Sequence, residues 1–264
     1  MKKNIINFWF RSASFDAAAT AFFTAAGITD GTQKAAINRL VTDLKSTTYG
    51  NLWTTVFTGM PIHPIVGGSA SAHAVNLRNP GTNNITWSGG ITHSSTGALG
   101  NGSTGFGDDG FVLSTGQTLN NSGFSFYSGT NNTVNGVDMG ANDGVTNTRI
   151  GLYFGGVRPI ADISGVNMNT GATRSDGFFT LSNTASVVTK SYQNGAQILS
   201  SSSSTVGLTA RSMYYLAQNT SGTAGSFSTR EMRFGCKHTG LTAQQAADLY
   251  TIVQRFQTAL GRNV

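Results

Sequence analysis

The sequence predicts a mainly β protein, an antiparallel jelly-roll β-sandwich with an N-terminal helical hairpin and a C-terminal helix. Between about residues 53 and 237, apolar residues alternate with polar ones, as Phe124 and Phe126 do around Ser125. A period of two is typical of strands with one buried face. Asn-Gly and Asp-Gly pairs such as Asp109-Gly110 and Asn194-Gly195 separate these runs and suit turns with positive φ. Strand and helix patterns do not alternate, which argues against a parallel sheet.

Two short helices are predicted before the strands begin. Residues 15–26 are rich in helix formers, with Ser14 placed to cap the start and Gly27 to end the helix. After Gly31, apolar residues recur at spacings of three and four: Ala35, Ile37, Leu40, Val41 and Leu44. Helices this short are marginal in isolation, so we expect a hairpin that docks on the rest of the protein.

A longer helix is predicted at the end of the chain. Thr242 and Gln245 have the spacing of a capping box, and Gly261 is placed to end the helix. Between them an apolar stripe is formed by Leu249, Ile252, Val253, Phe256 and Leu260. The predicted organisation is therefore a helical segment over residues 1–50, followed by a jelly roll with its C-terminal helix over residues 51–264.

Composition and charge argue against several classes of protein. The chain of 264 residues is only 11 % charged and has a formal net charge of +6. Apart from Lys2 and Lys3 the cationic residues are scattered singly, whereas a nucleic-acid site gathers them on one face. No apolar run is long enough for a membrane span. Arg11 and Asp16 interrupt the apolar run that a signal peptide needs, so we expect synthesis in the cytoplasm without one.

Motifs for catalysis and for cofactor binding lack the context they need. The GxGxxG match at residues 100–105 precedes no helix pattern, so it does not predict a dinucleotide site. One cysteine, Cys236, and dispersed histidines do not predict a zinc site. The sequence therefore predicts no catalytic residue, no metal and no cofactor, with calcium near Asp108 and Asp109 left open.

Carboxylates leave an enzymatic alternative open. The chain has one glutamate, Glu231, and its position between Arg230 and Arg233 favours a solvated ion pair on the outer face of a strand. Glycosidases use a pair of acidic side chains, which aspartates could still supply. A polysaccharide-acting enzyme, either a glycosidase or a lyase, is therefore the alternative function.

Aromatic residues are the candidate ligand contacts. Four tyrosines fall at strand positions that could point away from the core, where a ring can stack on the apolar face of a sugar: Tyr127, Tyr153, Tyr192 and Tyr214. The alternative is that these rings cover sheet faces or fill an interface. The sequence alone leaves both interpretations open.

Several segments resemble known families. Residues 192–198, YQNGAQI, resemble a hairpin of laminin-G-like or concanavalin A-like jelly rolls, and residues 233–250 resemble the last strand and following helix of that superfamily. Residues 65–73, 87–97, 126–128 and 256–262 are similar to structural proteins of tailed bacteriophages that infect Bacteroidota. The likeness extends over nearly the whole chain.

The resemblance implies a non-enzymatic structural protein of a phage virion, on head or tail. Its expected partners are other virion proteins, further copies of the same chain and carbohydrate of the host surface. Neither nucleic acid nor a membrane is an expected partner. The N-terminal helices together with Phe8, Trp9 and Phe10 offer apolar anchors, so residues 1–50 are the candidate element for docking to the virion.

Overall fold

The structure, a computed structural model, describes residues 14–153, 160–169 and 174–264. Phe8, Trp9 and Phe10 lie outside the described residues. The helices, in chain order, are α1 (Ala17–Ala26), α2 (Gly31–Lys45), α3 (Leu52–Thr55), α4 (Ala70–Ala74), α5 (Leu113–Gly116) and α6 (Ala243–Ala259), with one 3-10 turn at Thr47–Tyr49.

The strands of the described residues form two sheets. In chain order they are β1 (Ile62–His63), β2 (Thr86–Ser88), β3 (Thr92–His93), β4 (Ala98–Leu99), β5 (Phe106–Val112), β6 (Ser122–Ser128), β7 (Met139–Asn142), β8 (Asn147–Gly151), β9 (Ile160–Ile163), β10 (Val166–Asn169), β11 (Gly177–Ala185), β12 (Val188–Gln193), β13 (Ala196–Ser201), β14 (Ser212–Tyr215), β15 (Gln218–Thr220), β16 (Thr223–Gly225) and β17 (Glu231–His238).

One sheet, here the inner sheet, has the order β13-β12-β11-β6-β17-β4-β3, with β1 also paired to β17. The other, here the outer sheet, has the order β10-β9-β8-β7-β14-β5-β2. Beside it, β15 pairs with β7 and β16 pairs with β15. The strand pairs are antiparallel except that of β15 with β7, which is parallel. The mainly β antiparallel sandwich that the sequence predicts is therefore confirmed.

The molecule has three layers, with the inner sheet in the middle. Strand β6 is buried along its whole length. From one face of β6, the Tyr127 hydroxyl donates to Gln254 Oε1 of α6 at 2.9 Å. From the opposite face of neighbouring β17, Lys237 reaches Asp109 of the outer sheet. The helices therefore cover one face of the inner sheet, and the outer sheet covers the other.

The two N-terminal helices form the predicted hairpin, with one correction to its cap. The cap of α1 is Asp16, whose side chain accepts from the Ala18 amide, and not Ser14; Gly27 ends the helix at φ 65° as predicted. Helix α2 begins at Gly31 and turns Ala36 into the core, whereas Ala35 is exposed. The remaining predicted core positions of α2 are buried: Ile37, Leu40, Val41 and Leu44.

Helix α6 has the predicted cap and core stripe. Thr242 and Gln245 form both hydrogen bonds of the capping box. Leu249, Ile252, Val253 and Phe256 are buried, and α6 packs against α2 and β13. The helices α1, α2 and α6 contribute to the same continuous hydrophobic core as the sandwich. None of the described helices combines the length and apolar character that crossing a bilayer requires.

Candidate functional site

A cleft of about 440 Å³ opens on the face of the outer sheet that is turned away from the inner sheet. Strands β2, β5 and β14 are neighbours in that sheet and supply most of its lining. The residues that line it are Asn84, Thr86, Ser88, Phe106, Asp108, Asp109, Gly110 and Tyr214.

Strand register brings these side chains together. Thr86 of β2 and Tyr214 of β14 are both Cα partners of Asp108 on β5, and Ser88 is the partner of Phe106. Because side chains alternate between the two faces of a strand, residues 106 and 108 share one face of β5 and residue 109 lies on the other. The row of paired residues that includes Asp108 and Tyr214 continues across the sheet through Gly140, Arg149 and Asp162.

Two stacked aromatic rings form the apolar part of the cleft. The rings of Phe106 and Tyr214 have centroids 4.5 Å apart and planes 23° apart. Tyr214 is 8 % exposed, and Phe106 is half-buried. Burial and the nearby Asp108 carboxylate both raise the pKa of Tyr214. The phenol therefore stays protonated at neutral pH and can donate a hydrogen bond.

Asp108 is the polar centre of the cleft. Its Oδ1 accepts from the Gly110 amide at 2.8 Å, and its Oδ2 accepts from the Ser212 hydroxyl at 3.1 Å. A carboxylate oxygen has two acceptor positions, so each oxygen retains capacity for another donor. The two hydrogen bonds hold the carboxylate in place beside the rings.

Asp109 belongs to the interior, because it points from the opposite face of β5 toward the inner sheet. Its Oδ2 accepts from Lys237 Nζ, from the Tyr215 hydroxyl at 3.1 Å and from His63 Nε2 at 3.3 Å. Burial raises the pKa of Asp109, but Lys237 and His63 lower it further, to about 2. Asp108 and Asp109 lie on opposite faces and cannot jointly bind calcium. The described residues contain no cluster of three or more His, Cys, Asp or Glu that could hold a metal.

The four predicted tyrosines have different surroundings. Tyr214 lines the cleft, whereas Tyr153 is half-buried, forms a backbone bridge with Gly136 and is not among the lining residues. The exposure predicted for Tyr127 and Tyr192 is wrong, because both are fully buried. Tyr127 does point away from the sandwich interior, but the helical layer covers that face. Tyr192 lies on the same face, as the Cα partner of Thr180, which bonds Ser125 beside Tyr127.

Sequence reasoning missed most of the cleft. The polar residues Asn84, Thr86 and Ser88 and the aromatic Phe106 were not candidates. Part of the signal is present, because Thr86 lies between the apolar residues Ile85 and Trp87, an alternation that is typical of a strand with Thr86 on its outer face. Nothing in the local sequence pairs β2 with β5 and β14, and this pairing forms the site.

A second cavity lies in the helical layer. This groove of about 670 Å³ runs along the contact between α2 and α6, and its lining residues are Thr32, Ala35, Ala36, Arg39, Tyr250, Thr251, Gln254, Arg255, Thr258 and Ala259. Both sheets separate it from the cleft.

Comparison with known proteins supports the fold but does not identify a family. No family model matches the sequence, and no curated protein matches it. Among solved structures, the chain is similar to a mutant of Trypanosoma rangeli sialidase displaying trans-sialidase activity, with 14 % identity, 83 % of this chain and 39 % of that chain covered, and a TM-score of 0.51. At this identity the likeness shows a shared β-sandwich fold alone.

Other similar structures have lower TM-scores. One is Trypanosoma rangeli sialidase in complex with 2,3-difluorosialic acid, at 14 % identity, 73 % and 32 % coverage and a TM-score of 0.45. Another is domain 4 of AbnA, a GH43 extracellular arabinanase from Geobacillus stearothermophilus, in complex with arabinotriose, at 20 % identity, 80 % and 94 % coverage and a TM-score of 0.39. The chain spans about a third of the length of the sialidases it matches.

Proposed function

We propose that this chain is a non-enzymatic carbohydrate-binding β-sandwich, with its ligand in the cleft of the outer sheet, and that it serves as a structural protein of a phage virion. The observation that carries the binding proposal is the stacked pair Phe106 and Tyr214 beside the Asp108 carboxylate. Aromatic rings with a few fixed polar groups are the usual composition of a small-molecule site.

The cleft has complementary groups for both sides of a sugar ring. The apolar C–H face can pack on the exposed part of Phe106, while hydroxyl groups donate to Asp108 and bond Thr86 and Ser88. Asp108 accepts from Ser212 and Gly110 before any ligand arrives, so little ordering is needed on binding. Weak, specific binding of neutral sugars is the expected outcome.

The carboxylates favour binding over cleavage. Glycosidases hold two carboxyl groups roughly 5–9 Å apart on either side of the scissile bond. In the described cleft Asp108 faces the ligand space, but the carboxylate of Asp109 is turned inward and held by Lys237, Tyr215 and His63. This arrangement leaves a single carboxylate for chemistry in the cleft.

Glycan arrays followed by calorimetry test the binding proposal. Phe106→Ala and Asp108→Asn should each weaken binding of a captured glycan by about 10-fold or more, since each removes a stacking or charged hydrogen-bonding partner. The matched control is Asp248→Asn on α6, across the inner sheet from the cleft. Absence of any captured glycan, or equal loss in the control, contradicts the proposal. New reducing or unsaturated ends after incubation with host polysaccharide would instead favour the enzymatic alternative.

The virion role is supported by the resemblance of several segments to phage structural proteins and by the low charge of the chain. The chain should be detected by mass spectrometry in purified particles.

If residues 1–50 dock the protein to the virion, the double variant Ala21→Arg and Ala25→Arg should be incorporated less into particles. Both residues are exposed on α1, so the substitutions should not disturb the core. Arginine at exposed Gln244 of α6 is the control. Undiminished incorporation of the α1 variant would contradict docking through this segment.

A further inference from the structure

A cluster of four polar side chains lies buried between the two sheets. Lys237 of β17 and His63 of β1 come from the inner sheet, and Asp109 of β5 and Tyr215 of β14 come from the outer sheet. The side chains of Lys237, Asp109 and His63 have no exposed surface, and Tyr215 is also fully buried. The proposed carbohydrate-binding function does not use this cluster.

We propose that Lys237 and Asp109 become joined by an intramolecular isopeptide bond, an amide between Lys237 Nζ and Asp109 Cγ. The bond would connect the inner sheet to the outer sheet through residues that are far apart in the chain. Cys236 is the only cysteine, so no internal disulfide can form this connection.

The geometry around Asp109 separates its two oxygens into different roles. Oδ2 receives hydrogen bonds from Lys237 Nζ, Tyr215 and His63. Oδ1 accepts from the Phe111 backbone amide at 3.0 Å. An N–H that donates to the oxygen on which negative charge develops during addition acts as an oxyanion hole, whereas the oxygen surrounded by proton donors can leave as water.

A proton relay connects the nucleophile to the leaving oxygen. Lys237 Nζ donates to the Tyr215 hydroxyl at 2.8 Å, and that hydroxyl donates to Asp109 Oδ2 at 3.1 Å. Tyr215 can therefore accept a proton from the nitrogen while it gives its own proton to Oδ2. Burial keeps this phenol protonated, since it raises the pKa of Tyr215 well above its usual value.

The interior favours the neutral forms that react. Burial lowers the pKa of Lys237, although Asp109 opposes the shift, and burial lowers the pKa of His63. In a low-dielectric site an ion pair lies closer in free energy to the neutral amine and acid than it does in water. Lys237 Nζ also lies 4.1 Å from the centroid of the Tyr215 ring, which holds it beside its target.

The reaction balances without an oxidant or a co-reactant. Lys237 Nζ first passes one proton to Asp109 Oδ2, giving an amine and a carboxylic acid. The nitrogen lone pair then forms a bond to Cγ while the C=O electron pair moves onto Oδ1. As the pair returns from Oδ1, the Cγ–Oδ2 bond breaks, Tyr215 relays a proton from nitrogen to oxygen, and one water leaves. The water is released on the inner side of β5, the strand whose opposite face lines the cleft.

Two other ion pairs of the chain lack this combination. The Arg230 and Asp138 pair is equally buried, but a guanidinium is a poor nucleophile because its lone pairs are delocalised. Lys45 and Asp16 form a partly exposed pair, which lacks the water-free surroundings of Lys237 and Asp109. These pairs serve as internal controls that should remain unlinked.

Intact mass spectrometry of the denatured full chain tests the proposal. The main species should be lighter than the sequence mass by one water, and digestion should give a branched peptide containing both Asp109 and Lys237. Lys237→Arg should restore the full mass. Tyr215→Phe keeps the packing but removes the relay, so the linked fraction should fall several-fold.

A succinimide at Asp109-Gly110 would also remove one water and must be distinguished. It would persist in Lys237→Arg, give no branched peptide and disappear on mild alkaline treatment. A wild-type chain at its full sequence mass, or a water loss that survives Lys237→Arg, overturns the proposal. Because the wild-type mass and the branched peptide together decide the question, the test does not depend on whether a variant folds.

Discussion

Asp108 and Asp109 show how one backbone step assigns two identical side chains to different chemistry. A strand turns successive side chains to opposite faces, so Asp108 meets solvent and the aromatic pair of the cleft. Asp109 meets Lys237, His63 and Tyr215 in a site without solvent. The first carboxylate can bind a ligand, and the second can only hold or react with its protein neighbours.

Arg230 and Asp138 form a further fully buried ion pair, and we expect the free energy of unfolding to be sensitive to loss of one partner. Arg230 Nη2 donates to the Val134 carbonyl at 2.9 Å, and Asp138 also accepts from the Ser228 hydroxyl at 2.6 Å. Arg230→Met would leave the Asp138 charge buried without its cation. The free energy of unfolding should fall by about 3–5 kcal/mol, as measured by urea denaturation.

The control for this prediction is Arg39→Met on α2. Arg39 pairs with Asp43, but its side chain is 60 % exposed, so the loss should be below about 1 kcal/mol. A loss in Arg230→Met no larger than that of the control would mean that the buried pair contributes no more than a surface one. The sequence places Arg230 next to Glu231, yet Glu231 pairs with Arg233 and Arg230 turns into the interior.

At the scale of elements, the β12–β13 hairpin shows a turn that the sequence specifies by itself. Asn194 and Gly195 have φ values of 50° and 76°, as a two-residue hairpin with primed turn geometry requires. A Cβ at Gly195 would also lie 3.1 Å from Ala247 Cα and from the Tyr250 ring of α6. The turn residue is therefore constrained by its own backbone and by the helix packed against it.

Gly195→Ala should lower the free energy of unfolding by about 1–2 kcal/mol, because the left-handed backbone is strained for alanine and the added methyl group crowds α6. Thermal or urea unfolding measures the change. Gly225→Ala is the matched control, since Gly225 lies on strand β16 with negative φ and nothing within 4 Å of the added Cβ. Equal losses of stability in the two variants would show that the turn conformation is not the cause.

Local patterns predicted what depends on neighbours in sequence. The capping box at Thr242 and Gln245, the end of α1 at Gly27 and the hairpin at Asn194 all rely on contacts within a few residues. Asp109-Gly110 satisfies the same turn rule, but Gly110 takes its φ of 67° inside strand β5, where the register with β14 shifts. The place of Gly110 inside a strand depends on pairing with distant strands, and the local sequence does not specify that pairing.

Contacts distant in sequence also explain the errors at the candidate site. Alternation correctly puts Tyr127 on the face of β6 that points away from the sandwich interior. It does not reveal that this face is covered by α6, which lies more than a hundred residues later and accepts a hydrogen bond from Tyr127. A third layer over a β-sandwich therefore turns a predicted ligand surface into core.

At the scale of the whole molecule, burial disfavours the charged form of every histidine, since His63, His73 and His238 are fully buried and His93 is half-buried. Burial lowers the pKa of His63, of His73 to about 3, of His93 and of His238 to about 4. The His73 and His93 Nδ1 atoms lie 2.9 Å apart, and the Gly68 amide donates to His73 Nε2. His73 must therefore donate from Nδ1 to His93, and protonating His93 would place two N–H groups against each other.

Because burial lowers the pKa values of all four histidines, we expect acid to unfold the protein. Unfolded histidines bind protons below about pH 6.5, whereas the folded ones resist protonation until their lowered pKa values are reached. The stability that depends on neutral histidines is therefore fully present above about pH 6.5 and is lost as the pH falls toward 4. His238 alone should cost about 2–3 kcal/mol by pH 4.5.

Melting temperatures measured between pH 8 and pH 4.5 test this expectation, and they should fall steeply below pH 6.5. His238 accepts from Ser125 through Nε2, and its Nδ1 lies 2.7 Å from the Thr239 carbonyl. In His238→Gln a neutral amide can replace both contacts without titrating, so the fall should be shallower whatever the stability of the variant at pH 8. A melting temperature that stays constant down to pH 4.5 would show that the histidines titrate equally in both states, and hence that the three layers do not exclude water from them.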